Sequence, residues 1–285
     1  MSLATFLDQL FAGLGLGFIL FFSAAGLNLV WGVLGVMNFA AGAVYMLGAY
    51  LATTVIARVG ASALGGALVE MALLRRTYRE HDENQQFMLT LALSYLLAGG
   101  VVAVYGSGFR TVSLPGSLSD SWHVFGATLP KYTAVVIVLG VFVAGAIWAL
   151  MYGTRVGLLT RAAVDDRTML SVLGVNVNRL YTAVFAFGIG LGALGGVVDA
   201  PNGAVTTNLE TAALVPAFIV VVTGGLGNMT GALIAAVAIG VIESFVTLQS
   251  PTLAPLTPYA VMTLVLLGRA TAGRRLWRVR PAVNR

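Results

Sequence analysis

The chain has 285 residues, of which 58% are hydrophobic and only 9% charged, with a net charge of +5, no cysteine and two histidines. A soluble domain carries roughly 25% charged residues, so this composition excludes an ordinary soluble fold. The missing cysteines exclude disulfides and thiolate metal sites. Cations spread over separate loops, with no aromatic-interleaved patch, argue against a nucleic-acid partner.

Apolar blocks recur along the whole length, many of them near the roughly 20 residues that cross about 30 Å of hydrocarbon. In order they are Leu10–Trp31, Val33–Ile56, Ala61–Leu74, Phe87–Tyr105, Tyr132–Tyr152, Leu180–Val198, Ala212–Val222, Gly231–Leu248 and Tyr259–Leu267. No alternating strand pattern of a membrane barrel runs through them. They predict an all-α, polytopic membrane bundle forming a single domain over residues 1–285, with about 8–9 spans if broken or re-entrant helices are counted. Asp8 is the only charge ahead of the first block, which therefore lacks the basic leader of a cleavable signal.

Within the first block Gly13 and Gly17 form a small-xxx-small pair, which favours close helix approach. The block ends on Gly32-Val-Leu-Gly35-Val-Met37, a pattern that returns as Gly224-Gly-Leu-Gly227-Asn-Met229. Paired glycine interruptions of this kind point to transporter repeats and to a pathway between them. Asn38 and Asn228 lie at these breaks, where an amide either satisfies freed backbone groups or contacts a solute. Glu70 is read as lying at the inner surface, close to Arg75, Arg76 and Arg79. The Gly106–Pro130 loop follows, with Arg110 and Lys131; His81 and His123 fall in polar loops and are read as solvated.

A polar island, Gly157–Leu180, then separates two charge-free blocks. It carries Arg161, Asp165, Asp166, Arg167 and Arg179. Helical spacing runs from Leu158 to Leu173, with Leu159, Ala163, Leu170 and Leu173 on one face and Gly174 as the terminator. Arg161 and Asp165 stand four apart, a spacing worth a few tenths of a kcal/mol. The island reads either as a solvated linker or as a docking helix for a cytoplasmic partner. Beyond it, Gly188, Gly192 and Gly196 form a ladder; the overlapping Gly190-x-Gly192-x-x-Gly195 lies inside an apolar span and reads as helix packing, since a dinucleotide site needs a preceding strand.

Asp199 and Glu210 flank Pro201 and are expected at the outer interface. Glu243, inside an apolar run, is the costliest carboxylate; a structural hydrogen bond ranks ahead of solute contact for it. Arg269, Arg274, Arg275, Arg278, Arg280 and Arg285 make residues 269–285 a basic tail. Placing this tail, the island and the Arg75–Arg79 loop in the cytoplasm satisfies the positive-inside rule. The Gly106–Pro130 and Gln249–Pro258 loops then face outward. The only lysine, Lys131, sits outside any P-loop, and neither G-x-S-x-G nor H-E-x-x-H occurs, so the chain is read as a non-enzyme.

At this point the residues resemble a known family, the LivH-type permease subunits of branched-chain amino acid ABC importers. Gly35, Asn38, Phe39, Ala40, Gly42, Tyr45, Met46, Gly48 and Tyr50 carry one motif. Gly157, Arg161, Ala162, Asp166, Ser171, Leu173, Gly174, Asn176 and Arg179 match the family's coupling segment. Gly224, Gly225, Gly227, Gly231, Gly240 and Glu243 carry the third. The resemblance implies half of a permease heterodimer with a LivM-type subunit in a bacterial inner membrane. Two cytoplasmic ATPases, holding ATP and magnesium, would dock on the island through Gly157, Arg161, Ala162, Asp166, Ser171, Gly174, Asn176 and Arg179. A periplasmic binding protein would deliver cargo, and this chain would hold no cofactor. Asn38, Phe39, Gly42, Tyr45, Gly224, Gly225, Gly227, Asn228 and Glu243 would line the pathway. The sequence departs from the family at Ala41 and Ala43, which replace a histidine and an acid, and at Leu158, Leu170, Met71 and Arg76. The two lost polar groups leave the cargo open among a less polar amino acid, an amide and another small carboxylate. The alternative is a stand-alone carrier or channel.

Overall fold

The computed structural model describes residues 2–35, 38–58, 83–114, 116–124, 126–165 and 167–278. The expected Ala61–Leu74 span, Glu70 and Arg75–Arg79 lie outside them.

Helix α1 (Leu3–Leu34) is the central post of the bundle. Its 32 residues reach about 48 Å at 1.5 Å per residue, more than the roughly 30 Å of hydrocarbon. Ser2 caps its start by accepting from the Thr5 N–H at 3.2 Å. Gly35, at φ 72°, ends it in the left-handed region and donates to the Trp31 carbonyl, the αL stop that glycine favours. Every residue from Phe21 to Val30 is buried, because other helices close around this stretch on all sides.

Those helices are α2 (Ala40–Arg58), α5 (Lys131–Gly153), α8 (Val177–Asp199), α9 (Leu209–Gly224) and α10 (Met229–Gln249); α3 (Glu83–Tyr105) packs on α2, and α11 (Thr257–Arg278) packs on α9 and α10. The short α4 (Gly116–Ser119) precedes α5, while α6 (Arg155–Asp165) and α7 (Arg167–Val172) lie between α5 and α8. By length and composition Leu3–Val33, Lys131–Gly153, Arg179–Asn202 and Met229–Gln249 can each cross a membrane; Thr90–Tyr105 and Leu209–Gly224 are shorter apolar helices. This is a multi-pass helical membrane protein.

Glycine sets the closest approaches, as the small-residue spacing suggested. A Cβ on Gly13 would stand 2.6 Å from the Val241 Cα, and one on Gly17 would stand 2.8 Å from the Val237 Cα, so α1 and α10 touch along their backbones. The α8 ladder serves two neighbours. A Cβ on Gly188 would lie 2.8 Å from the Gly26 carbonyl of α1, and one on Gly196 would fall on the Tyr45 carbonyl of α2. All three glycines of the G-x-G-x-x-G pattern lie within α8.

One feature of the loop between α3 and α5 was not anticipated. Residues 121–130 form a β-hairpin, β1 (Ser121–Val124) with β2 (Ala127–Pro130), turning at Gly126, which sits at φ 80°. It is fastened to the start of α1, where the Asp8 carboxylate accepts from the Thr128 N–H at 2.7 Å. Lys131 and Asp120 form the one ion pair among the described residues. Strands this short leave too little alternation to be read from sequence. Arg110, in the same loop, exchanges backbone bonds of 3.1 and 2.7 Å with Val205. It thereby ties the end of α3 to the α8–α9 connection.

Candidate functional site

The two G-x-L-G-x-M segments meet in space. Gly32 lies against Gly227, where an added Cβ would stand 2.5 Å from the Gly227 Cα. Gly35 and Gly227, the corresponding fourth positions, share one backbone conformation, at φ 72° and 73°. Each break is followed by an asparagine that caps the next helix. The Asn38 Oδ1 accepts from the Ala40 N–H at 3.1 Å, and the Asn228 Oδ1 accepts from the Gly231 N–H at 3.0 Å. Both side chains thus satisfy freed backbone donors, the capping role expected at such breaks.

A residue the sequence reading missed, Asn28, holds the breaks together. It lies within α1 and has no exposed surface. Its Oδ1 accepts from the Gly227 N–H at 2.8 Å, and its Nδ2 points to the Met229 sulfur at 3.9 Å. The signal was present as a lone asparagine inside an apolar span, where polar groups need partners. From the other side, Arg269 of α11 donates to the Thr223 carbonyl at 2.8 Å, at the end of α9. A cation over the last carbonyls of a helix complements its dipole.

The anticipated pathway residues fall into two groups. Asn38, Phe39, Gly42 and Tyr45 begin α2, facing α8 and α9; Gly224, Gly225, Gly227 and Asn228 form the α9–α10 turn. Glu243 is distant from both in chain position. It is half-buried on α10, and its carbonyl accepts from the Thr247 hydroxyl. Two carboxylates join the first group. The Glu210 carboxylate accepts from the Ser94 hydroxyl of α3, and the Glu210 carbonyl lies where a Gly42 Cβ would stand. The residues between Asp199 and Glu210 fold back over the bundle, bringing Glu210 against α2. Asp199, half-buried at the end of α8, accepts from Tyr45 and Asn202. A small cavity of about 10 Å3 lies among α1, α2 and α8, lined in part by Ser23, Gly26, Asn38 and Gly192.

The island is helical over α6 and α7, as the spacing from Leu158 predicts, with residue 166 between them outside the described residues. Thr154 makes the elbow with α5. Its hydroxyl donates to the Leu150 carbonyl at 2.6 Å and accepts from the Gly157 N–H at 3.2 Å. A Cβ on Gly157 would fall on the Leu150 and Met151 carbonyls, so Gly157 serves the elbow itself. Gly174, at φ 79°, ends α7, and Val175 N–H reaches back to the Leu170 carbonyl, as a Schellman stop does. Asn176 caps α8 by accepting from the Arg179 N–H at 3.1 Å. Ala163 and Leu170 are buried and Leu159 and Ala162 pack against the same core. Leu173 is 72% exposed and follows α7 in the turn that Gly174 closes.

What remains outward on the island is a mixed surface. Val156, Leu158, Met169, Val172 and Leu173 are exposed apolar residues, and Arg155, Arg161 and Arg179 are exposed cations. The Arg161 guanidinium lies 4.8 Å from the Tyr152 ring centre. The side chains of Asp165, Asp166, Arg167 and Ser171 lie outside the described residues.

Residues 9–268 match the family model described as branched-chain amino acid transport system / permease component. The chain is 28% identical to the high-affinity branched-chain amino acid transport system permease protein LivH of Escherichia coli (strain K12), over 92% of this chain and 93% of that protein. It is 26% identical to the permease protein BraD of Pseudomonas aeruginosa, over 93% and 94%. Among solved structures, PsaBC from Streptococcus pneumoniae in complex with Fab covers 93% of this chain at a TM-score of 0.51 and 14% identity, a likeness of fold alone.

Proposed function

The chain belongs to the branched-chain amino acid transport permease family, and from that premise we propose that it is one half of the membrane pathway of an ATP-driven importer for branched-chain amino acids or a closely related small amino acid. Its partner in the bilayer is a LivM-type permease, and a periplasmic binding protein delivers the cargo. Two cytoplasmic ATPases bind ATP and magnesium and press on α6 and α7. The chain sits in a bacterial inner membrane with its C-terminus in the cytoplasm.

The observation that carries this reading is the island. Five exposed apolar side chains beside Arg155, Arg161 and Arg179 form an unpartnered surface with the chemistry of a protein interface, where apolar anchors and arginine are enriched. Its elbow at Thr154 and Gly157 joins it directly to α5, and Ala163 and Leu170 share a core with Val33, Met151 and Leu180. A push on α6 and α7 therefore reaches the inner ends of α1, α5 and α8. Gly32, near the same end of α1, lies against Gly227, and Arg269 bonds the Thr223 carbonyl just before that turn. The β-hairpin against Asp8 marks the other end, and the separation of charge follows the positive-inside rule.

The test is reconstitution in liposomes. The chain with its LivM-type partner, both ATPases and the binding protein takes up labelled leucine only when ATP is supplied, and the chain alone takes up none. ATP-independent uptake by the chain alone would instead establish a stand-alone carrier or channel.

A further inference from the structure

We propose that the start of α2 is a recognition station for the zwitterionic head group of an α-amino acid, with Glu210 receiving the ammonium and the Asn38 Nδ2 receiving the carboxylate; this rests on the importer reading above. Asn38 is 2% exposed. Its Oδ1 is engaged by the Ala40 N–H, while its Nδ2 has no hydrogen-bond partner among the described residues. Buried amide donors are rarely left unsatisfied without a reason. This one lines the small cavity among α1, α2 and α8.

Glu210 supplies the opposite chemistry on the α9 side of the same break. Its carboxylate can accept about four hydrogen bonds, and Ser94 offers one proton. The only ion pair among the described residues is Lys131 with Asp120, so no described cation neutralises Glu210. It stands in the first turn of α9, where the helix dipole favours an acidic side chain. An ionisable group inside a membrane bundle marks a pathway more often than a scaffold. The two groups are linked through one short path. Phe39 follows Asn38, the Phe39 carbonyl lies 3.4 Å from the Ser94 oxygen, and Ser94 bonds Glu210. A spare donor and an under-used carboxylate thus flank one helix start, a complement to a carboxylate and an ammonium on one carbon.

In this packing the cavity, at about 10 Å3, has room for roughly a single water. The head group enters when α1, α2 and α8 part at the Gly26–Gly188 contact, which borders the cavity. Side-chain selection is then left to other parts of the assembly, while the station reads what all α-amino acids share.

The experiment uses the complete reconstituted importer and reads leucine uptake and binding-protein-stimulated ATP hydrolysis side by side. Glu210→Gln lowers uptake at least tenfold while stimulated hydrolysis stays within twofold of the parent, so uptake per ATP falls. Glu210→Asp recovers part of the uptake. Asn38→Asp, which sets a like charge before the cargo carboxylate, lowers uptake per ATP in the same way and elutes as an assembled complex. Parent-like uptake by Glu210→Gln overturns the proposal. So does a parallel loss of uptake and hydrolysis in Glu210→Gln and Glu210→Asp alike, which marks a structural role. ATP-independent uptake that still requires Glu210 overturns the importer reading and leaves the station standing.

Discussion

Replacing Asn28 by alanine removes a side chain that bonds α1 to the α9–α10 turn. The Asn28 Oδ1 accepts from the Gly227 N–H at 2.8 Å, and Asn28 has no exposed surface. A backbone donor left without its partner costs about 1–3 kcal/mol. Two effects pull the value down. Side-chain hydrogen bonds between membrane helices average only about 0.6 kcal/mol when measured by double-mutant cycles, and Gly227 sits in an exposed turn, where water can replace the lost acceptor. One effect pulls it up. Gly227 is held at φ 73° against Gly32, so the turn cannot shift to find a new partner inside a helix. The expected loss is about 1–2 kcal/mol, a factor of roughly 5–30 in the folded-to-unfolded ratio. The contact to the Met229 sulfur, at 3.9 Å, adds little. The assay is denaturant unfolding of the purified chain in detergent followed by far-ultraviolet circular dichroism. Thr247→Ala is the control: Thr247 is exposed and bonds only its own helix at Glu243, so its effect stays within about 0.5 kcal/mol. If Asn28→Ala also stays within about 0.5 kcal/mol of the parent, Asn28 does not clasp the two breaks.

Other expectations follow from the closest backbone contacts. Gly188→Val drives a branched side chain into the Gly26 carbonyl and the Val30 side chain, both 2.8 Å from an added Cβ; overpacking of this kind costs about 1–3 kcal/mol and lowers the midpoint in the same unfolding assay, whereas Gly190→Val, at an open position, leaves it near that of the parent. Gly157→Ala sets a methyl group against the Leu150 and Met151 carbonyls and turns α6 away from its seat, so ATPase co-purification falls at least severalfold while the permease pair stays assembled.

How much of this was legible in the sequence depends on which interactions carry each element. The apolar helical character was, because bilayer thickness imposes apolar runs that composition alone reports; among the described residues four helices are long and apolar enough to cross. The glycine ladder was too, since three-residue gaps put Gly188, Gly192 and Gly196 on one stripe. Gly174 was recognised as a stop because the left-handed conformation favours glycine. The contacts of Glu210 with Ser94 and Gly42 were not, because tertiary partners so far apart in the chain leave no local pattern. Asn28 was passed over because its partner lies 199 positions away, and no local pattern records such a pairing.

The central claim is that α6 and α7 form the surface through which ATPases drive this permease, and Arg161→Glu tests it most directly. Arg161 is exposed, and its contact with the Tyr152 ring is worth only about 0.5–1 kcal/mol at such a site. Charge reversal therefore leaves the permease pair folded and assembled. In the reconstituted importer the account predicts that binding-protein-stimulated ATP hydrolysis falls at least tenfold in Arg161→Glu, and that Val172→Asp, on the exposed apolar part of the surface, does the same. Unchanged stimulation in both variants would contradict the account.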